Sequence, residues 1–356
     1  MYEIIPSGLL EEYNKFVKNE SLLPVKVSDF YLKKVEEEIA SIGYNGPLYL
    51  TVMPNLTRLR TFSSHESRDY VEDYNHLPVA NSDYIIKKYN DRVLFLVSDD
   101  CVSHCQYCFR QYNLSRIHQA QEKDRIIQKV KVLKAYLLEH PEIKEVILSG
   151  GDPLTLDYDT LSYILDELNS WDIRLHTRAI VFNPFLFTDR IIKLFGAHHI
   201  RLVFHISHPY EICDTVKEFL SKIESEKIHM YAQFPLLRGI NDDWRVLYRL
   251  LSILDSCHVR PISIFIPDPL KYGASYRIEF NRISKIIDEL NWNTPSWINS
   301  IRVVLDTPCG KARRENVVSQ SGRKITFFRE GKYIDYYDLD EGIDCPSNID
   351  VLLWKG

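Results

Sequence analysis

From Arg92 onward the chain repeats one pattern, and that pattern restricts the fold more than any other feature. Short β-rich runs recur at Val93–Val97, Val146–Leu148, Ile173–His176, Arg201–His205, His229–Gln233 and Ile262–Ile266. Between them lie stretches with helical spacing, such as Asp124–Leu138 and Asp242–Leu254. Strands alternating with helices imply an α/β fold with a parallel sheet and right-handed crossovers. Six such units suit a partial (β/α)6 barrel or a doubly wound sheet. In either, chemistry belongs at the C-terminal ends of the strands.

The flanks differ from this centre, so the chain divides into residues 1–90, 91–295 and 296–356. The first region reads as helical pieces with an irregular stretch. Asp29–Ile42 places Phe30, Val35, Ile39 and Ile42 at helical spacing, with Ser28 as its cap. Residues 54–83, rich in Asn, Ser, Asp and Arg, read mainly as loop. The last region is a β-rich extension. Ile301–Leu305, Val317–Val318, Ile325–Phe328 and Tyr333–Tyr337 read as strands, with turns at Ser321–Lys324 and Glu330–Lys332.

Composition excludes several classes. With 45% apolar and 26% charged residues the chain is ordinary globular material. A formal net charge of −5 gives no electrostatic footprint for nucleic acid or an anionic membrane. No run approaches 18 apolar residues, and the start, Met1-Tyr2-Glu3-Ile4-Ile5-Pro6, lacks the cationic and apolar parts of a signal peptide. A cytoplasmic protein is the expectation.

Seven cysteines are present, and three sit together in Cys101-Val-Ser-His-Cys105-Gln-Tyr-Cys108, directly after the first strand of the pattern. A disulfide framework is not expected in such a chain, so the cluster points to metal. Soft thiolates select iron–sulfur or zinc. Three ligands leave one position open, whereas a structural zinc site is closed by four. Zinc would need His104 or a distant residue as the fourth ligand. The bland alternative is three unconnected buried thiols.

Two more segments stand out. Ser149-Gly150-Gly151-Asp152-Pro153-Leu154 follows the second strand, and glycine is scarce here, with 13 in 356 residues. Paired glycines let backbone approach a ligand, or simply make a tight turn. Val303-Val304-Leu305-Asp306-Thr307-Pro308-Cys309-Gly310-Lys311 reads by itself as a strand, a turn and a lysine. Such a lysine is usually a solvated charge.

The spacing Cys-x-x-x-Cys-x-x-Cys after the first barrel strand resembles the radical S-adenosylmethionine superfamily. Ser-Gly-Gly-Asp-Pro-Leu narrows the resemblance to the lysine 2,3-aminomutase family, and it extends from about Pro54 to Tyr337. It implies a partial (β/α)6 barrel of the radical S-adenosylmethionine type. It also implies three cofactors: a [4Fe–4S] cluster on Cys101, Cys105 and Cys108, S-adenosylmethionine, and pyridoxal 5′-phosphate (PLP) held by Lys311 as a Schiff base. Ser149, Gly150, Gly151, Asp152, His205 and Gln233 are then expected at S-adenosylmethionine. Tyr89-Asn90-Asp91-Arg92-Val93 is similar to the family's phosphate segment, which makes Arg92 and Lys88 phosphate candidates; Arg178 is a further one. Arg110 matches the family's carboxylate-binding arginine, a residue suited to bidentate recognition. Asp268 and Asp306 match two aspartates that bind the distal ammonium of lysine. Two carboxylates at the far end of a pocket favour a cationic side chain over glutamate.

The implied activity is an amino acid 2,3-aminomutase, an isomerase acting on a basic amino acid, most simply L-lysine to β-lysine. Relatives acting on arginine or glutamate, or on lysine for attachment to elongation factor P, are alternatives, as is a non-catalytic cluster-binding protein. The resemblance further implies an electron donor such as flavodoxin or ferredoxin, and a homo-oligomer. The chain departs from the family twice. The segment before Lys311 is shorter, with Cys309 where the family has glycine. Near its end the chain has only Cys345, where the family has a zinc-binding cysteine cluster.

Overall fold

The computed structural model describes residues 4–6, 8–114 and 123–356. Met1–Glu3 of the N-terminal reading therefore lie outside the described residues. The core is one sheet of nine strands in sequence order. They are β1 (Ile85–Ile86), β2 (Arg92–Ser98), β3 (Glu145–Gly150), β4 (Asp172–Thr177), β5 (Arg201–His205), β6 (His229–Pro235), β7 (Arg260–Ile266), β8 (Arg302–Leu305) and β9 (Ala312–Arg313). Strands β2 to β8 pair in parallel; β1 and β9 cap the two edges antiparallel.

The parallel run thus has seven strands rather than six. The segment assigned to the C-terminal extension, Arg302–Leu305, is its seventh member, paired with β7 through Ser263–Arg302 to Ile266–Leu305. The helix Phe280–Asn293 between them is one more crossover. A short apolar run looks alike in a parallel strand and in a hairpin, so sequence did not separate the two.

Side-chain alternation orders the layers. In β4, Ile173, Leu175 and Thr177 are buried toward the helices, while Arg174 and His176 face the other way. The helices supply the opposing surface: Lys123–Glu139 contributes Ile126, Val130, Leu133 and Leu137, and Trp244–Ser256 contributes Val246, Leu247, Leu250, Leu251 and Leu254. Every parallel strand sends residues into a common cavity of about 1250 Å³, so the sheet curls around it as a partial barrel.

The N-terminal helix Asp29–Ile42 forms as the spacing predicts, and Ser28 Oγ accepts from Tyr31 N at 3.3 Å. The stretch 54–83 is mostly irregular but holds a short helix at Leu56–Arg60 and a 3₁₀ turn at Asp73–His76. At the other end, β10 (Val317–Ser321), β11 (Lys324–Arg329) and β12 (Lys332–Tyr337) make a separate antiparallel sheet. Glu330 and Gly331 join β11 to β12 with φ of 48° and 77°, the primed turn that matches strand twist. Among the described residues no helix is long and apolar enough to cross a membrane.

Candidate active site

The cysteine loop leaves the C-terminal end of β2 and is held mainly by the N-terminal region. Lys26 Nζ meets Asp100 Oδ1 at 2.6 Å, and Ser28 N donates to Ser103 Oγ at 3.0 Å. His104 N donates to Lys26 O, and its ring Nδ1 to Pro24 O at 2.7 Å. Gln106 Oε1 accepts from Arg58 Nη1 and from the Tyr13 hydroxyl. The first 60 residues therefore act as a brace for this loop.

Cys101, Cys105 and Cys108 all line the cavity. Burial raises each thiol: Cys101 stands well above its ordinary value and Cys108 is pushed up to about 12. Such thiols become thiolates when a metal displaces their protons. Among the described residues no three Cys, His, Asp or Glu side chains converge on a point where one ion would sit. Four thiolates on a single zinc would lie only about 3.8 Å apart, given a Zn–S bond near 2.3 Å. The set fits a cluster, which spreads its thiolates over different irons, and not a closed zinc site.

The glycine pair has a different local reason from the one expected. A Cβ on Gly150 would stand 2.3 Å from Ser98 O, and one on Gly151 would stand 2.0 Å from Asp100 O. Gly151 N and Asp152 N donate to those same carbonyls, each at 2.6 Å. The glycines let the β3 turn lie against the backbone entering the cysteine loop. Asp152 does not turn its carboxylate to a ligand either. It accepts from Thr177 Oγ1, from Arg178 N and from Leu154 N, and so ties β3 to β4. Ser149, Gly150 and Gly151 still line the cavity.

In the middle of the barrel three inward residues meet. Gln233 Nε2, on β6, lies 2.8 Å from His205 Nε2 on β5 and 3.4 Å from His176 Nδ1 on β4. Burial, then Arg178 and Lys311, lowers His205 to about 3; burial also holds His176 well below the usual range. Both rings are neutral.

Arg178 requires a correction. It is a buried cation paired with Glu211 Oε1 at 2.5 Å, and it also reaches the Tyr107 hydroxyl. Its charge acts on Cys105. It therefore belongs to the cysteine end and not to a phosphate site.

Lys311 lies at the other end. Its Nζ is 4.5 Å from the Phe265 ring centre, and burial lowers the amine to about 8, with Arg174, Arg92 and Arg302 adding to the effect and Asp306 opposing it. Tyr89 shapes the approach: its hydroxyl accepts from Lys311 N at 2.9 Å, and its ring leaves no room for a Cβ on Gly310, which has φ +90°. Arg92 stacks on Tyr89 and is paired with Asp91.

Lys88 is the second correction. Its ammonium is bound to Asp73 Oδ1 at 2.8 Å and to Val71 O. Asp73 Oδ2 lies 3.0 Å from Arg110 Nη1, which finds no aligned hydrogen-bond acceptor. Lys88 thus shares one carboxylate with Arg110 on the cavity wall. Asp268 is near this group: burial first, and the Asp306 charge second, push its carboxyl well up, while Lys88 opposes. The two aspartates are close enough for the Asp306 charge to act on Asp268. The sequence reading did not single out Asp73, Arg174, His176, Glu211 or Arg302. Arg174, His176 and Arg302 carry one legible signal, a polar residue at the inward position of a strand.

A family described as a 4Fe-4S single cluster domain matches residues 91–191. Over longer spans the chain is similar to proteins named L-lysine 2,3-aminomutase. That of Methanococcus maripaludis is 27% identical over 351 residues, covering 96% of this chain and 78% of the other. That of Buchnera aphidicola is 26% identical over 297 residues, covering 81% and 84%. That of Bacillus subtilis is 31% identical over 312 residues, covering 85% and 64%. With three cysteines at cluster spacing and a lysine lining the same cavity, the chain is similar along most of its length to the radical S-adenosylmethionine lysine 2,3-aminomutase family.

Proposed function

We propose that this protein is a PLP-dependent radical aminomutase that moves the α-amino group of a basic amino acid to Cβ, with L-lysine to β-lysine as the leading case. One observation carries the reading. A single cavity joins the three cysteines, Lys311, Arg110, Lys88, Asp268 and Asp306.

The residues fit the cofactors that the family implies. Three half-buried thiols on one cavity-lining loop suit a [4Fe–4S] cluster with one iron open for S-adenosylmethionine. A lysine lowered to about 8 has a neutral fraction at neutral pH, as attachment to an aldehyde requires. Arg92 and Arg174 are the cations nearest it and suit a phosphate. When bound, the cluster and S-adenosylmethionine supply the hydrogen-abstracting radical, and PLP supplies the conjugated system that carries nitrogen between carbons.

The chain itself holds and aligns. Arg110 presents a guanidinium to the substrate carboxylate. Asp268 and Asp306 repel each other until a cation stands between them, so an ammonium-ended side chain relieves their cost and glutamate adds to it. A one-electron protein reductant and a homo-oligomer belong to the same proposal.

The test is anaerobic reconstitution with iron, sulfide and PLP, then reductant, S-adenosylmethionine and lysine, arginine, ornithine or glutamate singly. Mass spectrometry follows 5′-deoxyadenosine and substrate isomers. An isomer from lysine and none from glutamate is expected. A product of changed mass, or an isomer from glutamate alone, overturns the assignment.

A further inference from the structure

His176 and Gln233 present an unanswered pair of hydrogen-bonding atoms. His176 Nε2 and Gln233 Oε1 have no partner and are shielded from water, although both side chains line the cavity. Two buried polar atoms without partners are rare enough to call for a reason.

Their chemistry follows from the contacts they do make. The Gln233 amide nitrogen donates to His205 Nε2 and to His176 Nδ1. His176, neutral, must then carry its proton on Nε2, so the atoms left over are one donor (His176 Nε2–H) and one acceptor (Gln233 Oε1). Turning the amide over reverses both roles and again leaves one donor and one acceptor. A carboxylate or phosphate only accepts, and an ammonium only donates. A hydroxyl does both.

The place narrows the choice. His176 lies on β4 two residues after Arg174 and two before Arg178, which follows the strand's end. Arg178 acts on Cys105 at the cluster end, while Arg174 acts on Lys311 at the other. On the reading above, the nucleoside sugar must lie midway, because its 5′ carbon has to reach the substrate. We infer that His176 and Gln233 together hold a ribose hydroxyl of S-adenosylmethionine, with His176 as a positioning residue for the sugar. This rests on the aminomutase reading for the identity of the nucleoside.

The experiment measures binding, not turnover. Protein reconstituted with its cluster and PLP is titrated anaerobically with S-adenosylmethionine and with its 2′-deoxy and 3′-deoxy analogues. The wild type is compared with His176→Phe, which keeps a planar ring and removes both nitrogens. The wild type is expected to bind one deoxy analogue about tenfold more weakly than the natural nucleoside, a difference of about 1.4 kcal/mol. His176→Phe is expected to bind S-adenosylmethionine about tenfold more weakly and to lose that discrimination. Iron content and the cluster's absorbance should match the wild type, which separates this from misfolding; if they do not, His176→Gln, which retains a donor and an acceptor, is expected to restore discrimination. Full discrimination in His176→Phe overturns the inference alone. So does unchanged nucleoside binding with a shifted absorbance of bound PLP, which would give the pair to the other cofactor. A wild type with an intact cluster that binds no S-adenosylmethionine overturns the aminomutase reading itself.

Discussion

Asp73 offers the sharpest test of how the cavity wall is held. Its two oxygens contact Lys88 at 2.8 Å and Arg110 at 3.0 Å, and all three side chains are at most 9% exposed. Burial alone would raise this carboxyl, but Arg110 and Lys88 outweigh it and hold it below its ordinary value. Asp73→Asn keeps the shape and removes the charge, leaving two buried cations facing each other. Breaking a buried pair in this way costs about 3–5 kcal/mol. At about 2.1 cal/mol/K per residue of unfolding entropy, that is about 4 to 7 °C in melting temperature for this chain. Calorimetry at pH 7 would measure it. Asp73→Asn with Lys88→Met should recover much of the loss, because one uncompensated cation is gone. A carboxyl with a depressed folded value stabilises above its unfolded value and loses that contribution as pH falls through the folded one, so the gap between wild type and Asp73→Asn should close below about pH 4. A single variant within about 1 kcal/mol of wild type, or two strictly additive substitutions, would refute the account.

Three further outcomes follow from other sites. Neutral amine is the form of Lys311 that attacks an aldehyde, so the rate of PLP capture, read by absorbance and borohydride trapping, should rise with pH and level off above about 8; Lys311→Arg should trap none. Gly151→Ala sets a Cβ 2.0 Å from Asp100 O, and since that backbone enters the cysteine loop, bound iron per chain should fall; wild-type iron content would show that the close approach does not matter. Burial raises Glu38 to about 7 even though it accepts from Leu48 N and Tyr49 N. A carboxyl with a raised folded value loses stability as pH climbs from its unfolded value toward the folded one, so the melting temperature should decline from about pH 4.5 to 7, and Glu38→Gln should flatten that slope.

The barrel was legible in the sequence because short β-rich runs recur between stretches with helical spacing, a pattern that does not depend on which strand pairs with which. Cys101, Cys105 and Cys108 were legible because one loop carries their whole spacing. The roles of Lys88 and Arg178 were not, because a cation's role depends on its nearest anion. Those anions, Asp73 and Glu211, lie on other elements and come close only after folding. The glycine pair shows the same limit. Gly150 and Gly151 are needed, but their neighbours are the carbonyls of Ser98 and Asp100, which sequence separates from them and the β2–β3 pairing brings together.

These corrections also give the cavity an order that no single motif contains. Each buried cation along its walls either has a fixed anion or lacks one. Arg178 at the cysteine end is neutralised by Glu211, while Lys88 and Arg110 share Asp73, so two cations on that wall face one carboxylate and one positive charge is left over. Asp268 and Asp306 carry the opposite excess, two carboxylates with mutual repulsion. A free amino acid with a cationic side chain brings a carboxylate to the first excess and an ammonium to the second. That complementarity arises from residues on the stretch 54–83, on β2's approach, after the third cysteine and at the ends of β7 and β8. On the function proposed above, the substrate class is selected where charge is left uncompensated, while the alternating strands serve any member of the fold.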